Sequence, residues 1–245
     1  SIFQDGSNNV AANWQPGTVG VTSGPGNNAA IVQGGNFNKG FNAQVNGTPG
    51  SDAAIAQFGT GNDAANIQND VDPTDAAIAQ FGHHNHAANL QDGVDNSNAG
   101  IVQVGSDNWA SNSQLVYTGG DSPIRGSHLN AAIAQFGAGN VASNTQFGAD
   151  NNAGILQTGV DNHAVNGQVG QDLNAGIVQS GYDNSALNAQ NSGNTNAVIA
   201  QFGASNKAAN FQETTVSNTA ILQVGADNNA VNGQLRGGKT TTGRL

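Results

Sequence analysis

Residues 130–146 read NAAIAQFGAGNVASNTQ. Two runs of period 2 meet there at a glycine. In the first, Ala131, Ile133 and Gln135 alternate with Ala132, Ala134 and Phe136. In the second, Asn140, Ala142, Asn144 and Gln146 alternate with Val141, Ser143 and Thr145. Such alternation marks a strand with two unlike faces, and no helical period of 3.6 persists over a useful length. Gly137 and the short polar residues after it supply a bend between the runs.

The same pattern occurs ten times. The first run ends at Gln4, Gln33, Gln57, Gln80, Gln103, Gln135, Gln157, Gln179, Gln201 and Gln223. After each come Gly at +2, Asn at +5, Ala at +7, Asn at +9 and Gln at +11, the one departure being Gly40 in place of Ala. The +11 glutamines are Gln15, Gln44, Gln68, Gln91, Gln114, Gln146, Gln168, Gln190, Gln212 and Gln234. Twenty of the 21 glutamines occupy these two positions and 20 of the 37 asparagines the two Asn positions, a register that a disordered low-complexity tract would not keep. The last five copies are 22 residues apart, whereas earlier spacings are 29, 24, 23, 23 and 32. The surplus always falls between one copy's last Gln and the next copy's Ile. The longest insertions are therefore placed at 16–30 and 115–132, with a short tail at 236–245.

Two short strands cannot bury a face alone, but stacked copies can. The expected fold is all-β: residues 1–235 form one parallel β-solenoid of ten strand-turn-strand repeats, with two parallel, in-register sheets of cross-β character. Each residue then lies over its counterpart about 4.8 Å away. Ile and Ala fill a thin core, and the buried Gln and Asn amides bond to identical amides one repeat along, which satisfies groups that would otherwise be costly to bury. An antiparallel sandwich would reverse the motif in neighbouring strands and lose the register.

Composition narrows the function. Charged residues make up 9% of the chain, net charge is −10, and there are six basic residues. Neither the basic footprint of a nucleic-acid binder nor that of an anionic-membrane binder is present. Cysteine is absent, so neither disulfides nor thiol chemistry is available. No apolar run approaches the ~18 residues of a membrane helix. Ser1 leads straight into a repeat with no secretory leader ahead of it, so an exported protein would be in its mature form here.

Ser51, Gln57, Gly59, Gly61, Asn62, Ala64 and Gln68 match in full the pattern Ser-x5-Gln-x-Gly-x-Gly-Asn-x-Ala-x3-Gln. By these residues the chain resembles the curlin family, the subunits of curli fibres in bacterial biofilms, over residues 1–234. Departures are a leading Ser replaced by Asn27, Thr74 or Leu129, and a second Gly replaced by Asp107, Asp161 or Asp183. The family's Gly-rich N-terminal secretion segment is also missing, and repeats are more numerous than the usual five. The resemblance implies a secreted, initially unfolded, cell-surface subunit of a functional amyloid. It would polymerise with itself on a nucleator, served by a secretion machinery, to build matrix and mediate adhesion. The subunit junction would join Ile2, Gln4, Asn13 and Gln15 of one molecule to Ile221, Gln223, Asn232 and Gln234 of the next. The rival reading is a monomeric secreted solenoid that binds ice or glycans, which would need capped ends and a regular outer array. No capping element is expected from the sequence.

Catalytic patterns are lacking. Glu213 is the only Glu, no phosphate loop exists, and neither an enzyme nor a cofactor is expected. The His83, His84, His86 group could bind a metal, but it reads as surface histidines, since no Cys joins it and a metal site needs three or four convergent ligands. Asp161 and Asp183 should be stack neighbours; turn chemistry and limited sideways aggregation account for them, with bridging calcium as the alternative. The sequon Asn46-Gly47-Thr48 reads as chance. The outward positions of the first strand, among them Ala54, Ala56, Phe58 and Ala77, Ala79, Phe81, form an apolar face, suited to lateral packing unless the 115–132 insertion covers it.

Overall fold

In the sixth repeat the alternation becomes two strands, Asn130–Ala138 and Val141–Ala149. Ala131, Ile133 and Gln135, then Ala142, Asn144 and Gln146, are buried, while Ala132 and Phe136 face outward. The computed structural model describes residues 1–15, 26–45, 50–69, 73–116, 126–235 and 239–244, and every regular element among them is a β-strand.

The first strands of all repeats form one sheet of ten, in chain order from Ile2–Asp5 to Ser217–Ala226. The second strands form the other sheet, from Val10–Trp14 to Asn229–Leu235. Pairing between successive repeats is parallel and in register. Across the 22-residue spacing Ile155 pairs with Ile177 and Gln157 with Gln179; across the long insertion Ile101 still pairs with Ile133 and Gln103 with Gln135. The chain is thus a parallel β-solenoid of ten rungs. Between its sheets the isoleucines from Ile31 to Ile221 and the facing alanines from Ala64 to Ala208 make one continuous core.

Insertions leave the rungs intact. Strands already begin at Asn28 and Asn130 and run to Leu115, so the ordered rung reaches into the segments assigned to loops from sequence. Residues 16–25 and 117–125 of those insertions lie outside the described residues, as does the sequon at 46–48. The second insertion returns at Gly126–Ser127, which pairs with Val94–Asp95, and Ser127 also pairs with Ala149. Leu129 and Val94 pack together there with no exposed surface.

Two positions in the turn explain the glycines. At +2, φ is strongly positive, and a Cβ would meet the next rung's carbonyl: Gly137 would place it 1.9 Å from the Gly159 oxygen. At +4, φ is again left-handed, between +52° and +69°, in all ten rungs. Asp107, Asp161, Asp183, Asp227 and Asn8 are residue types that tolerate it, alongside Gly61 and Gly139. Asp107, Asp161 and Asp183 therefore meet the backbone demand that Gly61 and Gly139 meet in their rungs. Phe37, with φ 58°, does not suit that conformation and is 57% exposed, so it gains no burial in return. Phe37→Gly should raise stability by about 1 kcal/mol, read as a higher urea midpoint.

The solenoid's C-terminal end departs from expectation. The sequence of residues 236–245 predicts a short tail without a capping role. Lys239–Arg244 instead forms an antiparallel strand on Asn229–Leu235, with Ala230 opposite Arg244 and Leu235 opposite Lys239. An unpaired strand edge is a template for any chain that can reach it, and the Thr240–Thr242 run suits a strand.

Candidate assembly interface

Four columns of buried amides traverse the stack, and their hydrogen bonds give each end of the solenoid its character. In the first glutamine column each Nε2 donates to the Oε1 of the following rung. Gln4 donates to Gln33 at 2.7 Å, Gln135 to Gln157 at 2.8 Å and Gln201 to Gln223 at 2.7 Å, so this column is continuous through all ten rungs. The same Nε2 also donates to backbone, as from Gln157 to Val141 O and Asn162 O, both 2.9 Å. The second glutamine column points the same way, from Gln15 to Gln44 and on to Gln190 and Gln212.

Both asparagine columns run in the opposite direction. At the turn, Asn38 Nδ2 donates back to Asn9 Oδ1 and, at the far end, Asn228 Nδ2 to Asn206 Oδ1 at 2.8 Å. This column is the densest. Asn162 Oδ1 accepts both the backbone N–H and the side-chain amide of Asn184, at 3.2 and 2.9 Å. Its own Nδ2 reaches Asn140 Oδ1 and Gly181 O, both at 3.0 Å. The other asparagine column starts with Asn42 donating to Asn13 and continues to Asn188 donating to Asn166.

These columns give the Gln and Asn positions singled out from sequence their places: those of the second to ninth rungs are buried, and all of them but Asn210 are laddered. Two columns stop short of the C-terminal end. Asn210 turns its amide to the Thr219 hydroxyl instead of Asn188, leaving Asn188 Oδ1 without a donor. Thr219 occupies the inward column that holds Ala at Ala131, Ala153, Ala175 and Ala197, and its hydroxyl captures the amide. Gln212 turns to Ser217 Oγ at 2.8 Å and leaves Gln234 Oε1 unpaired. Thr219→Ala should return Asn210 to its column and raise the thermal midpoint, a gain on the order of 1 kcal/mol. An unchanged or lowered midpoint would count against this account of the break.

The ends are therefore unlike. At the first rung Ile2 is 48% exposed and Gln4 and Gln15 are exposed, with the oxygens of Gln4 and Gln15 lacking a preceding amide. At the last rung Ile221 and Gln223 are buried, and Gln223 has no following rung to donate to. Gly225 is the sole +2 glycine whose added Cβ would meet no carbonyl; its nearest neighbour would be Asn228 Nδ2 at 3.6 Å. On the second sheet, Asn232 and Gln234 lie on the strand covered by Lys239–Arg244. Among the described residues, the first-sheet edge at Ser217–Ala226 carries no such strand.

Sequence reading missed two features. The second corner copies the first: Asn151 Nδ2 donates to Phe147 O and Gly170 O, both 3.1 Å, as Asn162 does to Thr158 O and Gly181 O. Asp150 and Asp172 take the left-handed conformation of Asp161. A 22-residue rung is thus two half-rungs of 11, visible in the equal Gln135–Gln146 and Gln146–Gln157 spacings. The second feature is an exposed ladder on the outer face, Asn98 to Asn130, Asn152, Asn174 and Asn196, with amide–amide distances of 2.9–3.1 Å.

Among the described residues no three His, Asp or Glu side chains converge on one point, and no helix is long and apolar enough to cross a membrane. His84 lies 3.8 Å from Asp107 and His128 3.1 Å from Asp150, both exposed pairs of little energetic weight. No protein-family model and no curated protein matches the chain.

Proposed function

We propose that the chain is the structural subunit of an extracellular, curli-like functional amyloid, in which solenoids add end to end to build biofilm matrix and mediate adhesion. The observation that carries this reading is the continuity of the first glutamine and turn asparagine columns through ten rungs, ending at the C-terminal side on the open edge of the first sheet. A second molecule's first rung offers the same Ile, Gln, Gly and Asn in the same order, so the isoleucine, first glutamine and turn asparagine columns can continue across the junction. The reading assigns the chain no catalysis and no cofactor. A nucleator subunit and a secretion machinery are the partners it requires.

One observation favours the monomeric binder instead: Lys239–Arg244 caps the second sheet, as terminal elements do in soluble solenoids. In the fibre reading this strand must leave before the second sheet can extend. Purified chain incubated at micromolar concentration should give fibres with a layer spacing of about 4.8 Å and a subunit repeat of about 48 Å. Removing residues 236–245 should speed seeded elongation severalfold. A parent chain that stays a folded, soluble monomer in the presence of seeds would overturn the fibre reading.

A further inference from the structure

Three outward columns of the first sheet, typified by Ala54, Ala56 and Phe58, carry no charged residue from the second rung to the tenth. Thr158 and Ser180 are their only polar side chains. On the second sheet's outer face, by contrast, stand Lys39, Asp63, Lys207 and Glu213. Among the described residues nothing covers the first face: Phe58, Phe81, Phe136 and Phe202 are each 40–42% exposed, and Gly126–Ser127 of the long insertion pairs at the second sheet instead.

The face has relief. One edge is a ridge, where the Phe58 and Phe81 rings stack with centroids 5.5 Å apart. Two columns away lies a groove floored by Ala54, Ala77, Gly100, Ala132, Gly154 and Gly176. Those three glycines are not needed by their own chain. Their φ is not left-handed, an added Cβ at Gly100 or Gly154 would meet nothing within 4 Å, and at Gly176 only Val198 Cγ2 at 3.9 Å. Glycine inside a strand weakens it, and its use marks a place where something else approaches closely.

We propose that this face binds the same face of a second copy, about a twofold axis parallel to the stack. That operation lays the phenylalanine ridge of each copy over the Ala/Gly groove of the other. A twofold axis along the strands would instead set ridge on ridge and groove on groove. Paired stacks keep a common polarity, so both can elongate in one direction. The strip measures on the order of 40 Å by 20 Å, near the ~800 Å² per partner of a stable interface. The proposal deepens the fibre reading by adding a second filament.

Mass per length, from dark-field electron micrographs of parent fibres, tests it. Paired stacks of this 24.6 kDa chain give about 1 kDa per Å and a single stack about half that. Gly154→Lys with Gly176→Lys should halve the parent value without slowing elongation, while Gly167→Lys, on the outer face of the other sheet, should leave it unchanged. Parent fibres of single-stack mass, or a double variant that keeps the paired mass, would overturn the pairing and leave the fibre reading standing. If no fibre forms, the fibre reading falls, and sedimentation of the folded chain decides the pairing: a dimer dispersed by the double lysine variant upholds it, a monomer overturns it.

Discussion

Gly225→Ala should fold as the parent does and fail to elongate fibres from seeds. Each +2 glycine points its missing Cβ toward the carbonyl of the next rung's glycine, 1.8–2.1 Å away within the chain. At Gly225 that neighbour is absent, so a methyl there costs only its left-handed backbone strain, about 1–2 kcal/mol. When a second molecule stacks on the last rung, Gly6 takes the neighbour's place and its carbonyl meets the methyl head on. Seeded growth should fall on the order of a hundredfold or more, each tenfold being about 1.4 kcal/mol. Gly137→Ala makes the same clash inside the chain, and should lower stability first and growth only in consequence. Thioflavin-monitored elongation, with circular dichroism on the unpolymerised variants, separates the two. Parent-like growth of Gly225→Ala would mean that last and first rungs do not meet.

Asn162→Ala should be the most damaging single truncation of an amide column. It removes the acceptor of the Asn184 N–H and side-chain amide, and the donor to Asn140 Oδ1 and Gly181 O. Each stranded buried group costs roughly 1–3 kcal/mol, so the loss is on the order of 4 kcal/mol. Gln157→Leu strands the amide of Gln135 and the oxygen of Gln179, and Gln135 Nε2 keeps its bonds to Trp109 O and Asn140 O. Its cost should be about half. Urea midpoints of the two variants give the comparison; equal midpoints would show that turn asparagines are no more than another ladder.

What the sequence made legible was whatever repeats with a fixed period. Ile133, Gln135 and Asn144 recur at constant offsets, and in-register stacking is the one arrangement that satisfies all of them. The pairing of Ile101 with Ile133 follows from the same logic despite the long insertion. Departures from the repeat were harder to read. Thr219 looks like one more variable residue until its position in the alanine column shows that its hydroxyl faces the Asn210 amide. Lys239–Arg244 has no counterpart in any rung, so its pairing depends on an edge that exists only at the end of the stack. Gly154 in an outward column looks like drift between Ala132 and Gly176 until the space around it shows that nothing within its own chain excludes a side chain.

The opposed directions of the amide columns bear on how long the stack can become. A column of aligned amides is a line of dipoles, and in an α-helix such lines sum to about half a charge at each end. Here the glutamine columns donate toward the C-terminal rung and the asparagine columns toward the first. Two buried lines run each way, so their moments largely cancel at every rung, and the exposed Asn98–Asn196 ladder, which also donates toward the C-terminal rung, is screened by water. Parallel strands add little net moment of their own. Adding a subunit therefore builds up no dipolar penalty, and a stack of a thousand rungs is no more polarised than a stack of ten.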